Sequence, residues 1–323
     1  MPANVENMFY VGDIPWHREG VPLQEPPDTK TAIIAAGLNW RVDKVNLYAE
    51  GSGLVQNYYG IMRSDNHEVL GVVGKDYEPL QNVDAFKFFD PLVNKKIIEY
   101  ETAGSLGKGE IIWVLAKLKE NGEFKIKKDD TVRKYLLLSN SHDGNSAISV
   151  KFTPIRVVCQ NTLTAALSEG ETTRIKHITS MYRKLDVQLL VENIMLVYQS
   201  IEGKFKEMAQ HKMSRKKLNQ YFNSIYPVID IKDVKTVSQM DKREINIGIQ
   251  NQLIRNFEEG FGVKELGIGG TLWAAYNAVT QHVDHPVNYK LGNNKLLKRI
   301  WFGDGEAIKK KAYVNALQFL KSA

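Results

Sequence analysis

The chain has 323 residues, 43% hydrophobic and 25% charged, with a formal charge of +6. That balance excludes a disordered polyelectrolyte and suits one large folded domain or two ordinary ones. No apolar run approaches the roughly 18 to 20 residues of a membrane helix, the start Met1-Pro2-Ala3-Asn4-Val5-Glu6-Asn7 lacks a charged-then-apolar export pattern, and a single cysteine precludes an internal disulfide, so a cytoplasmic protein is expected.

Residues 1–27 carry five prolines and little periodicity, which predicts an extended arm with a turn at Ile14-Pro15-Trp16-His17. Asp28 has the character of a helix N-cap, followed by Ala32, Ile33, Ala35 and Ala36, with Gly37 as the stop. A strand starts near Trp40, and the Gly51-Ser52-Gly53 turn leads to a second over Leu54 to Arg63 and a third over Glu68 to Val73. Asn82 to Val93 has helical spacing, which Pro91 bends or ends. Strands follow at Ile97 to Thr102, Glu110 to Lys119 and Lys134 to Ser139, with an Asn121-Gly122 turn and a charged connector over Lys125 to Asp130. The order is that of an α+β fold, an antiparallel strand meander with packed helices, rather than a parallel doubly wound sheet.

The segment Ser149 to Leu167 joins a strand, a proline break at Pro154, Arg156, Cys159 and an expected helix start at Asn161-Thr162. Polar groups in an apolar run are costly unless paired, so Arg156, Gln160 and Asn161 need partners that the fold supplies. Beyond it the pattern is helical at Asp186 to Gln210, Ser214 to Tyr226, Lys242 to Phe261, Thr271 to Val283 and Glu306 to Ala323. The expected organisation is an arm (1–27), an α+β sheet domain (28–170) and a helical C-terminal region (171–323). Charge follows this division: residues 1–170 hold 19 Lys and Arg against 22 Asp and Glu, and the remainder holds 24 against 15. A basic half is an electrostatic footprint for a polyanion, although a lysine-rich surface needs no partner to exist.

Catalytic and metal motifs are weak. Gly267-Ile268-Gly269-Gly270 lacks the following Lys-Ser/Thr and the preceding strand of a phosphate loop, so it reads as a turn between helices. His282, Asp284 and His285 are cut short as a helical metal set by Pro286, and His142-Asp143 has no cysteine partner. Cys159 follows two valines, a context of inert core thiols, although His17, His142 or His177 would be the activating base if it were a nucleophile. Glu99 and Glu101 alternate around Tyr100, as paired carboxylates or as a solvated strand face. No metal or other cofactor is expected. Basic residues beside aromatics are more suggestive. Lys117 and Lys119 share a strand face, Arg133, Lys134 and Tyr135 enter the next strand, Lys151 and Arg156 follow, and Arg174 and Lys176 lie beyond. On neighbouring strands these cations would form a band for phosphate, with Tyr135 stacking a base; the alternative is aromatics in the core and lysines in water.

Trp16-His17-Arg18-Glu19-Gly20, Ala35-Ala36-Gly37-Leu38-Asn39-Trp40, Leu136 to Gly144, Phe152 to Leu163, Gly270 to Thr280 and Trp301-Phe302-Gly303-Asp304-Gly305 resemble the phage- and plasmid-related family built on domain of unknown function 932. That resemblance implies service to a mobile genome, and the family's strand meander with helices is similar to the core of single-strand annealing proteins. The expected function is a non-enzymatic, self-associating protein that binds single-stranded DNA, in annealing or recombination. One alternative is a phage protein that binds a host or defence protein. Another is a nucleic-acid-processing enzyme using Glu101, His142 and Asp143.

Overall fold

The computed structural model describes residues 4–15, 18–127, 129–145, 148–158, 161–162, 173–175, 187–286 and 296–321. The segment expected as an arm supplies two strands, β1 (Val5–Val11) and β2 (Val21–Leu23). Asp28 caps α1 (Thr29–Ala35) by accepting from the Thr31 backbone N–H, and Gly37 leaves the helix at φ +64°. Next come β3 (Val42–Ala49), β4 (Gly53–Arg63) and β5 (Val69–Gly74), a three-stranded antiparallel sheet. The expected helix at 82–93 is two helices, α2 (Asn82–Lys87) and α3 (Asp90–Asn94), because Pro91 belongs to a first turn, where its missing N–H costs nothing.

The main sheet takes β1 and β2 together with β6 (Ile98–Leu106), β7 (Ile111–Leu118), β10 (Tyr135–Ser141), β11 (Ile148–Phe152) and β14 (Thr173–Ile175). Among the described residues its order is β14-β11-β10-β7-β6-β1-β2, antiparallel except for β1 with β2. Its inner face carries Phe9, Tyr100, Ala103, Ile112, Val114, Leu136, Leu138 and Val150, packed with Ala32, Phe86 and Phe89 of the first helices and their flanks. The outer face carries Met8, Trp113, Leu115, Tyr135 and Leu137. Both faces are covered, which explains the unbroken apolar run Ile111-Ile112-Trp113-Val114-Leu115-Ala116.

A third sheet holds β8 (Glu123–Lys127), β9 (Asp130–Arg133), β12 (Ile155–Arg156) and β13 (Asn161–Thr162), in the order β13-β12-β9-β8. The charged stretch expected as a connector over Lys125 to Asp130 is thus a hairpin, with Phe124 and Ile126 buried between exposed charges. Asn161-Thr162 is a strand pairing with Ile155-Arg156 rather than a helix start. The C-terminal part is helical, as the sequence pattern indicates: α4 (Val187–Gln210), α5 (Arg215–Ile225), α6 (Val237–Glu259), α7 (Leu272–Asp284), α8 (Leu296–Phe302) and α9 (Asp304–Lys321). Ser214 and Thr271 cap α5 and α7 through their hydroxyls. Helix α7 is apolar around most of its circumference and is the buried centre of this part. Phe205 of α4 meets Phe124, Trp273, Tyr276 and Tyr313, and the Tyr198 hydroxyl bonds to both Tyr135 backbone groups, at 2.9 and 3.0 Å. Strand and helical residues therefore share one apolar core.

Candidate binding cleft on the outer face of the sheet

The pairing of β6 with β7 slips between Tyr100 and Thr102, leaving Glu101 as a bulge residue. Tyr100 stays in the inner core while Glu101 and Thr102 both face outward, a re-aiming that strict alternation forbids. They line a cleft of about 170 Å³. Its floor is the outer sheet face, with Met8, Trp113, Leu115 and Tyr135; α8 contributes Leu297, Ile300 and Trp301, and Arg133, Ile155 and Val157 close one side. Trp113 and Trp301 meet edge to face at 5.8 Å.

At the polar end the Tyr135 hydroxyl donates to Glu101 Oε1 at 3.0 Å. Burial pushes the Glu101 carboxyl above the ordinary range, opposed by that hydrogen bond and by the Lys117 and Arg133 cations. Burial, with the neighbouring Glu101 charge, also holds the Tyr135 phenol protonated. Two buried N–H groups of the lining, Arg133 Nε and Trp113 Nε1, have no hydrogen-bond acceptor among the described residues; the Glu123 carboxylate is 4.0 Å from Arg133 Nε. Asp284 also lines the cleft, and its carboxylate accepts from the buried Lys309 ammonium at 2.9 Å.

The strands expected to carry a cation band are neighbours: Lys117 lies opposite Tyr135, Lys151 opposite Leu137, and Arg174 opposite Ser149. The side chains do not form a continuous exposed stripe. Lys117 and Lys119 are 28% and 44% exposed and share the Glu99 carboxylate, at 3.9 and 3.3 Å. Arg133 is half-buried at the cleft. Lys134 is buried under the Phe124 and Tyr198 rings, and that burial lowers its pKa. Lys151 is spent on the Trp301 carbonyl and the Glu306 carboxylate, at 2.5 and 2.8 Å. Tyr135 is buried against Glu101 and offers no exposed ring for stacking. Lys176, Cys159 and Gln160 lie outside the described residues, as does the side chain of Arg174.

Arg156, 1% exposed, points inward. It grips Asp130 in a fork of 2.7 and 3.1 Å, donates to the Phe261 carbonyl at 3.0 Å and lies over the Trp273 ring, whose N–H donates to the same Asp130 at 2.7 Å. It ties the small sheet to α7. His142 is buried with Asn82 and Trp40, and Asp143 accepts from Ser141 and Asn145. Position 141 pairs with Ile111 and position 135 with Lys117, so His142 and Glu101 lie at opposite ends of the strands, roughly 20 Å apart at about 3.3 Å per residue. The enzyme triad of Glu101, His142 and Asp143 is not assembled. Among the described residues no group of three or more His, Cys, Asp or Glu side chains could hold a metal. Helix α8 was absent from the sequence expectations, yet the two-faced apolar run of β7 is a legible sign that something must cover the outer face.

No helix among the described residues is long and apolar enough to cross a membrane. No curated protein and no solved structure matches the chain. The family model of a domain of unknown function (DUF932) matches residues 69–301, from the start of β5 to Trp301 in the cleft wall, and the chain therefore belongs to that family.

Proposed function

We propose that the protein is a non-enzymatic nucleic-acid-binding protein of a mobile element such as a phage or plasmid, acting on single-stranded DNA in annealing or recombination through self-associated copies. The observation that carries the reading is the basic turn opening α5. Lys212, Arg215 and Lys216 are exposed there, Lys217 is half-buried, and no acidic residue occupies the first turn. Arg215 answers the Glu258 carboxylate of α6 at 3.1 Å; Lys212 and Lys216 at a helix N-terminus oppose the helix dipole, so helix stability does not account for them, and a polyanion partner would. Lys117 and Lys119 supply further phosphate contacts beside the cleft that Arg133 lines. The mobile-element and annealing parts rest on the likeness of motifs and of strand-helix order described above.

A labelled oligonucleotide titrated at rising salt tests this. Affinity should fall with a log-log slope of about 0.7 per phosphate contact on a single strand, and Lys212→Glu with Lys216→Glu should flatten that slope. Absence of binding at low salt, or binding indifferent to salt, overturns the reading. Particle size with and without the strand tests self-association. One observation favours a second reading, recognition of a host or defence protein: the small β3-β4-β5 sheet exposes Tyr48, Tyr58, Val69 and Val72. That reading gains if Tyr58→Ser abolishes capture of a host protein while oligonucleotide binding is absent from the start.

A further inference from the structure

The cleft at Glu101 is unused by phosphate contacts alone. We propose that it takes an unstacked nucleobase, a flat neutral ring with carbonyl acceptors and N–H donors; this deepens the nucleic-acid reading and names the part of the strand that enters the protein.

Size, polarity and charge each narrow the ligand. A volume of about 170 Å³ lies below the roughly 300–1,000 Å³ of pockets for larger organic ligands, and suits a single ring system. The lining is apolar and aromatic, with Trp113 and Leu115 on the sheet floor and Leu297, Ile300 and Trp301 from α8. Trp113 is fully buried and its Nε1–H is closed to a guest, so the donor left at the wall is the half-buried Arg133 guanidinium, which a ring carbonyl can meet. Glu101 presents the opposite chemistry. One oxygen accepts from Tyr135, and a carboxylate has lone pairs left for a ring N–H or an exocyclic amino group. A phosphate or carboxylate guest is disfavoured, because Asp13 and Glu101 line the cleft against the single guanidinium of Arg133, while Asp284 is already matched by Lys309. The phosphates of a bound strand would instead lie outside, near Lys117 and Lys119, which leave the same sheet face or its edge.

Glu101 sets a preference among bases. Guanine offers a ring N–H and an amino group side by side for a carboxylate, whereas thymine offers one ring N–H flanked by two carbonyls, and cytosine and adenine offer one amino group. Gln at this position offers a donor as well as an acceptor and keeps an oxygen for Tyr135.

The test uses the full chain and phosphate-free nucleosides, followed by quenching of the cleft tryptophans and by ligand-observed saturation transfer. Guanosine should bind at least tenfold tighter than thymidine; Glu101→Gln should level that ranking and Arg133→Met should weaken every base that binds. Both variants should keep the far-UV circular dichroism and cooperative melting of the parent. In parallel, a base-bearing strand should bind tighter than an abasic strand of equal length and charge. Nucleosides that fail to bind, or that bind equally to parent and Glu101→Gln protein, overturn the base site, as does equal affinity for abasic and base-bearing strands. The two readings fail separately: strands that bind while nucleosides do not leave the phosphate reading standing alone, and Glu101-dependent nucleoside binding without strand binding supports the cleft and sinks the strand.

Discussion

Arg156 shows what a buried cation requires at the residue scale. Taking a guanidinium from water costs several kcal/mol, and the Asp130 fork, the Phe261 carbonyl and the Trp273 ring offset that cost together. Asp130→Ala should therefore destabilise by about 3–5 kcal/mol, since it strands the guanidinium and also removes the acceptor of the Trp273 N–H. Urea unfolding of the two proteins measures the difference. That Arg156 needs partners is legible in its apolar context; that they sit at 130, 261 and 273 is not, because local sequence carries no record of such long-range closure. His282 makes a second prediction. Burial and the nearby Arg299 charge lower its pKa to about 4 from 6.5, so the folded protein holds it neutral where the unfolded chain is protonated. Its contribution is fully present above pH 6.5 and is lost as pH falls toward 4. At about 1.4 kcal/mol per tenfold difference in proton affinity the loss reaches at most about 3 kcal/mol, less because the ring is partly exposed. His282→Gln should flatten the acid limb of a stability-against-pH curve.

Elements were legible where their determinants are local. The Asp28, Ser214 and Thr271 caps, the Gly37 stop and the strand that follows the Gly51-Ser52-Gly53 turn are decided within a few residues, and they fold as their side chains dictate. Asn161-Thr162 is the instructive failure. Asn and Thr favour helix starts, but here their backbone groups pair with Ile155-Arg156, and a neighbouring strand outweighs a capping preference of about 1 kcal/mol. The bulge at Glu101 was equally hidden, because the sequence shows carboxylates at 99 and 101 but not the slip that turns 101 and 102 to the same side. Packing within the sheet gives a further prediction at Gly104. A Cβ there would meet the Asn7 carbonyl, Met8 Cβ at 2.6 Å and Trp113 Cη2 at 2.7 Å, all held by β1 and β7. Gly104→Ala should cost about 1–3 kcal/mol and lower the melting temperature, with β1 the element displaced. Faster amide exchange in Met8 to Tyr10 than in β10 would identify it.

At the scale of the whole molecule, the basic helical half and the near-neutral sheet half differ in charge but not in core. Phe124 and Phe152 from the strands meet Phe205 and Tyr198 from α4, and Asp130 receives both Arg156 and Trp273. Helix α8 and the α9 carboxylate Glu306 hold the outer sheet face through Leu297, Trp301 and Lys151. A chain ended at residue 186 would keep Asp130 with Arg156 but lose Tyr198, Phe205, Trp273, Leu297 and Trp301, exposing several large apolar side chains, each worth about 1.5–3 kcal/mol of burial. Against a total stability of about 5–15 kcal/mol, that loss is enough to abolish cooperative folding. The expected outcome is one transition for the full chain, with helix circular dichroism and tryptophan fluorescence superimposed, and for the 1–186 fragment a broad, dye-binding state without a melting step. A sharp, independent transition in the fragment would show instead that the strand half closes its own core and that the helices merely dock upon it.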